Sequence, residues 1–256
     1  MRRDYTRHRD RPTKRVAPLL LDDIARILTA TRAGAGTWTA RVVERRDSAL
    51  LLLGFAGAFR RSELAGLRLG DVTVKPGIGL HIRVASSKAD QDGHGHTKAL
   101  THGTSHLTCP PCAYRRWLDV LAAHHRHGRP GVMRLLSDPA PWDGHVCGTA
   151  GPRLDPGLPV FRPIRGHGRL GTDAITGAAI HKALRRNLTH AGYPDEDVAT
   201  FGTHSARAGF VTQALLNGAT AHAIMRQTGH ASPAMIETYA REDAPSVNNA
   251  VMSLGM

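Results

Sequence analysis

Two short runs near the end of the chain, Gly202-Thr203-His204-Ser205-Ala206-Arg207 and Thr228-Gly229-His230-Ala231-Ser232-Pro233, decide how the rest is read. In the first, Thr203 is a candidate N-cap. His204 and Arg207 then stand three residues apart on the opening turn of a helix, where free N–H groups and the helix dipole favour an anion. That spacing suits a phosphate, although it also describes a solvated helix face. In the second run, Gly229 can end one helix in a left-handed conformation while Ser232 and Pro233 cap and start the next, which fixes His230 in a tight joint. Tyr239 follows on the second helix, with Met235 and Ile236 at helical spacing, a pattern shared with ordinary core tyrosines.

Working outward, helical periodicity marks Asp173 to Ala191, Ser205 to Asn217, Ala221 to Thr228 and Pro233 to Arg241, with a terminal helix expected over Ser246 to Leu254. Upstream, Asp22 to Thr31 reads as a short amphipathic helix. A longer one runs, after the Gly34-Ala35-Gly36 break, through Val42 and Leu50 to Ala58. The segment Gly57-Ala58-Phe59-Arg60-Arg61-Ser62-Glu63-Leu64 ends that helix in an arginine, Arg60, which the following acid could orient. Ser62 is then placed to cap a helix over Glu63 to Leu69. The period changes to strand-like at Val72 to Val74, His81 to Ala85 and Thr97 to Thr101, separated by the turn sequences Lys75 to Gly79 and Asp90 to His96. Helix returns at Ala113 to His127, and Gly128 to Pro159 reads as a loop-like insertion. The expected fold class is α+β, mostly helical, with a small antiparallel three-stranded sheet.

The 34 basic residues outnumber the 21 acidic ones, giving a formal charge of +13, and arginine is the dominant cation. Its planar, permanently charged fork suits phosphate, so the partner expected from charge is DNA, RNA or an anionic surface. Residues 1–18 form a basic arm or linker, rich in arginine, that could follow a phosphate backbone. The apolar stretches are too short to span a bilayer and the N-terminus lacks the apolar core of a secretory signal, so a cytoplasmic protein with no membrane partner is expected. Three cysteines do not make a disulfide framework.

Taken together and in order, these segments resemble the tyrosine recombinase or phage integrase family. Arg60-Arg61-Ser62-Glu63-Leu64 matches its first arginine motif, Ser87-Lys88-Ala89-Asp90-Gln91 its hairpin lysine, His204 to Arg207 its central box, and Gly229-His230 followed by Tyr239 its last. The resemblance covers roughly Leu19 to Arg241 and implies a catalytic domain over 19–256, with a C-terminal tail at 244–256. It implies a DNA-joining enzyme in which Tyr239 attacks a backbone phosphate to leave a 3′-phosphotyrosyl bond and a free 5′-hydroxyl. Arg60 and Arg207 would clamp the non-bridging oxygens, with a further hydrogen bond from His230. His204 would assist deprotonation of Tyr239, and Lys88, rather than Lys98, would protonate the leaving 5′-oxygen. No metal or nucleotide cofactor is implied at that site. The implied partner is double-stranded DNA, bound by a homotetramer. A type IB topoisomerase, which shares the constellation, and a non-cleaving DNA-binding regulator on the same fold are the alternatives.

Two departures stand out. The family's helical DNA-clamping domain is missing before the catalytic pattern, so the chain is expected to be a fragment of a longer protein, the alternative being a natural solo catalytic domain. Cys109-Pro110-Pro111-Cys112, with His145 and Cys147, could form a structural zinc site or could simply contribute buried thiols.

Overall fold

Helix α1 (Leu21–Ala33) buries Ile24, Ile27 and Leu28, the one-sided stripe expected of a surface helix. The Asp23 carboxylate accepts the Leu20 N–H at 2.8 Å. Thr37 caps α2 (Trp38–Ala56) by accepting the Ala40 N–H at 3.2 Å. This helix is buried without interruption from Glu44 to Phe55, and so becomes the axis around which the other elements pack. The computed structural model describes residues 16–84, 95–138, 144–202, 204–244 and 247, and of 241–243 the backbone only. Residues 1–15 of the basic arm, Lys88 with its expected turn, Thr203 and all but Val247 of the expected terminal helix lie outside the described residues.

Helix α3 is Arg61–Gly66, shorter than expected and starting earlier. Glu63 caps it in place of Ser62, its carboxylate accepting the Arg60 N–H at 3.0 Å. The helix stops before Leu69 because the chain turns extended: the Leu67 carbonyl accepts from Val160 N–H and the Leu158 carbonyl from Leu69 N–H. Strands β1 (Val72–Lys75), β2 (Gly79–Val84) and β3 (His96–Thr101) form the antiparallel sheet in the order β1-β2-β3, with Ile82 opposite Lys98.

Helix α4 (Pro110–Ser137) runs beyond the predicted end at His127. Gly128 breaks it with φ of 59°, but Pro130 then sits in the first turn of a resumed helix that buries Val132 and Leu136 at i, i+4 spacing. The first part of the expected loop is therefore helical. A hairpin of β4 (Ile164–Arg165) and β5 (Arg169–Leu170) and the short α6 (Asp195–Thr200) were too brief to carry a period. Helix α5 (Gly177–His190) begins where Thr176 caps it, later than Asp173. Helices α7 (Ser205–Leu216), α8 (Ala221–Thr228) and α9 (Pro233–Asp243) agree with expectation to within two residues.

Most of the apolar interior is one cluster joining α1, α2, the sheet, α4 and α5. Trp117 is fully buried there and donates its indole N–H to the Val160 carbonyl at 2.6 Å. A smaller cluster of Val211, Leu215, Ile224, Ile236 and Ala244 holds α7, α8 and α9 together. The edge-on contact of Phe55 with Phe210 links the two. Among the described residues, no helix is long and apolar enough to cross a membrane.

Candidate active site

Arg207 lies on the first turn of α7 and is 5% exposed. Its Nη1 donates to the Ala58 carbonyl at 2.7 Å. Ala58 takes a left-handed backbone (φ 45°) just after α2, a conformation that strains a residue with a Cβ. The strained turn presents that carbonyl to the guanidinium. The other terminal nitrogen, Nη2, is buried with no hydrogen-bond partner among the described residues. A buried charged donor left unsatisfied is costly, and an anion would satisfy it.

Arg60 comes to the same place from the N-terminus of α3. Its Nη1 contacts Glu63 Oε1 at 2.8 Å while Oε2 of that carboxylate holds the Arg60 backbone N–H, so one acid fixes both ends of the residue. Arg60 stays half-buried. Burial and then the charge of Arg60 bring the Arg207 guanidinium down to about 10, against the pull of Glu63 and Tyr239, so it remains a cation at neutral pH.

Gly229 ends α8 in the left-handed conformation (φ 69°), as its sequence suggests, and Pro233 opens α9. His230 is 8% exposed in the joint, and its ring centroid is 6.1 Å from that of half-buried Tyr239. The Thr228 hydroxyl spends its one proton on the Ile224 carbonyl at 2.8 Å, so it can only accept from His230 Nδ1, 2.9 Å away. Neutral His230 is therefore protonated on Nδ1, with a lone pair at Nε2. Burial, then Arg207, Arg60 and Lys98, lower its pKa to about 4.

Lys98 is the residue that sequence reasoning passed over. It is fully buried on β3, donates from Nζ to the Gln227 carbonyl at 2.6 Å and sits 5.1 Å from the Phe59 ring centroid. Burial lowers its pKa to about 8; Glu63 opposes the shift, and Arg207 and Arg60 add to it. The Gln227 side-chain amide in turn donates to the Ala56 carbonyl. Only the alternation along β3, which turns Lys98 to the same face as buried Leu100, hinted at this placement. The structure thus brings Arg60, Arg207, His230 and Tyr239 together and adds Glu63 and Lys98. His204 is exposed where α7 begins, one turn before Arg207, and α7 starts at Ser205. The predicted lysine, Lys88, lies outside the described residues.

The chain is 32% identical over 206 residues to an integrase/recombinase XerD homolog from Selenomonas ruminantium, a match covering 80% of this chain and 50% of that protein. It therefore spans about half the length of this curated relative. Among solved structures, the XerH site-specific recombinase bound to palindromic difH substrate superposes with a TM-score of 0.59 at 15% identity, covering 94% of this chain and 54% of that one. XerA recombinase gives 0.55 at 17% identity, covering 94% and 64%. A lambda integrase dimer bound to a COC′ core site gives 0.51 at 12%, covering 94% and 51%. At these identities the structures establish a common fold. No protein-family model matches the chain.

Proposed function

Because the chain belongs to the tyrosine recombinase family and has the fold of its catalytic domain, we propose that it cleaves and rejoins double-stranded DNA site-specifically through Tyr239. The observation that carries this reading is the buried, backbone-anchored Arg207 with an unused donor, beside His230 and Tyr239.

In the proposed reaction the Tyr239 oxygen bonds to phosphorus and the bond from phosphorus to the 5′-oxygen breaks. His204, exposed at the start of α7, takes the phenolic proton, and Lys88 gives one to the leaving oxygen, so protons balance. Arg60 and Arg207 hold the non-bridging oxygens where negative charge builds. Both guanidinium groups are fixed before substrate arrives, Arg60 by Glu63 and Arg207 by the Ala58 carbonyl, so little reorganisation accompanies the chemistry. His230 can donate to the phosphate from Nε2 only after taking up a proton. A bound phosphate favours that uptake by offsetting the three cations that now oppose it. Rejoining reverses these steps. The proposed working assembly is a homotetramer on DNA, acting in the cytoplasm.

A nicked suicide DNA substrate tests the assignment by trapping the covalent adduct. The adduct is expected with the wild-type chain and absent for Tyr239→Phe. Arg60→Ala and Arg207→Ala should each slow its formation at least about 100-fold, the scale of lost transition-state charge stabilisation. For Lys88→Ala, replacing the bridging 5′-oxygen by sulfur, a better leaving group, should restore cleavage. An adduct that persists in Tyr239→Phe would refute the nucleophile. Strand exchange between two sites, compared with relaxation of a supercoiled plasmid, separates a recombinase from a topoisomerase.

A further inference from the structure

The four side chains left open by the sequence converge where α4 begins. Cys109 stands at the N-cap position of that helix, Cys112 is in its first turn, and His145 and Cys147 belong to the segment that returns after α4. The sulfur and imidazole ligand atoms of all four lie within 4.8 Å of one another. Cys109 Sγ is 3.9 Å from Cys147 Sγ, Cys112 Sγ is 3.3 Å from His145 Nδ1, and Cys147 Sγ is 3.8 Å from His145 Nδ1. Zinc at the centre of a tetrahedron, with bonds of about 2.3 Å to sulfur and about 2.0 Å to nitrogen, sets ligand-to-ligand edges of roughly 3.5–3.8 Å. We propose that Cys109, Cys112, His145 and Cys147 bind one zinc ion as a closed, structural site.

The competing explanations fit less well. Disulfide sulfurs are bonded at about 2.05 Å, and all three cysteines are free. Buried thiols packed as small apolar groups have no reason to gather around an imidazole. Three sulfurs and a nitrogen also select a borderline-soft ion over calcium or magnesium, which take oxygen ligands.

The surroundings fit a centre with one net negative charge, as three thiolates on a divalent ion would leave. The Val146 N–H donates to Cys112 Sγ at 3.3 Å, and His102 Nδ1 lies 3.1 Å from Cys147 Sγ, in place to donate to that thiolate. Arg32 donates to the Leu107 carbonyl and Arg116 to the Gly144 carbonyl, so a guanidinium steadies the backbone before each ligand pair. Arg115 fastens the far side of the segment through the carbonyls of Thr149 and Ala150. Four protein ligands leave no open position, so the ion's role is to clip the return segment to α4. That segment continues to Leu158 and Val160, which pair with Leu69 and Leu67 directly after α3, the helix that carries Glu63. The site shares no residue with the cleavage machinery, and this inference does not rest on the DNA-cleavage reading.

Metal analysis of the full chain, purified under reducing conditions without a metal-affinity step and supplied with zinc, tests the inference directly. One zinc per chain is expected, and none tightly bound in Cys112→Ser or Cys147→Ser. Cobalt substitution should give thiolate-to-metal charge-transfer absorption and the intense ligand-field bands of a tetrahedral site. His145→Ala should lose the metal while His102→Ala keeps it. Should the cysteine variants fail to fold, the wild-type chain still decides. A strong chelator should lower its Tm by at least about 5 °C, and added zinc should restore it. Wild-type protein without bound zinc, or a cobalt form lacking thiolate charge transfer, overturns the site. Zinc retained by His145→Ala but lost from His102→Ala overturns the ligand set.

Discussion

His230 is held neutral at physiological pH by burial and by three cations, and its protonation bears on stability and, in the proposed reaction, on phosphate contact. Its folded pKa, about 4, lies below the ordinary value of 6.5. Between those values the unfolded chain binds the proton that the folded chain refuses. The histidine's contribution is complete above about pH 6.5 and is lost as pH falls toward 4, on the order of 3 kcal/mol in all. Urea unfolding from pH 7 to 4.5 should show this loss, and His230→Gln should flatten it. An unchanged slope in the variant would place the titration elsewhere. DNA binding carries the complementary expectation. A phosphate against Arg60 and Arg207 raises the His230 pKa, so calorimetry near pH 6 in buffers of different ionisation enthalpy should report net proton uptake, and His230→Gln should abolish it.

At the scale of single elements, what was legible depended on how local the cause was. The left-handed end of α8 at Gly229, the start of α9 at Pro233 and the order of the motifs follow from adjacent residues. Lys98 does not, because its burial depends on β3 meeting the end of α8, 129 residues later. The charged run Glu44-Arg45-Arg46-Asp47 of α2 is likewise buried through distant contacts. Arg32, on α1, reaches Glu44, and Arg186 and Asn187, on α5, reach Asp47. The bounds of α3 are set by pairing with Leu158 and Val160, far along the chain. Two substitutions test these long-range contacts. Lys98→Met replaces a buried cation by an apolar chain of similar length, which spares the desolvation of the charge but leaves the Gln227 carbonyl without its donor. Its Tm should fall only slightly, while adduct formation slows about tenfold because the joint before His230 loses a charge-assisted hydrogen bond. A variant with wild-type cleavage would make Lys98 purely structural. A Cβ on Gly209 of α7 would fall 1.8 Å from the Leu19 carbonyl oxygen. Gly209→Ala should therefore cost about 1–3 kcal/mol through forced separation of α7 from the segment entering α1, read as a fall in Tm.

At the scale of the whole molecule, the described residues form two unequal interiors, and the proposed chemistry straddles them. Arg60 and Lys98 are mounted on elements of the large core, whereas α8 and α9, which flank His230 and of which α9 carries Tyr239, rest on the small cluster of Val211, Leu215, Ile224, Ile236 and Ala244. Helix α7 spans both, since Phe210 meets Phe55 of α2 while Val211 and Leu215 face the small cluster. Local opening is easiest where few apolar groups are buried. The helix of Tyr239, α9, should therefore open at a lower free energy than the elements that hold Arg60 and Arg207, and detach without disturbing them. Native-state hydrogen exchange measures this directly. Amides of α9 should exchange through openings well below the global unfolding free energy, while those of α2 and the first part of α4 exchange only by global unfolding. Ile236→Ala, which removes a central side chain of the small cluster, should speed exchange in α8 and α9 and leave α2 unchanged. If α2 and α9 exchanged together in both proteins, the two interiors would be one cooperative unit, and Tyr239 would be as rigidly held as the arginines it is proposed to work with.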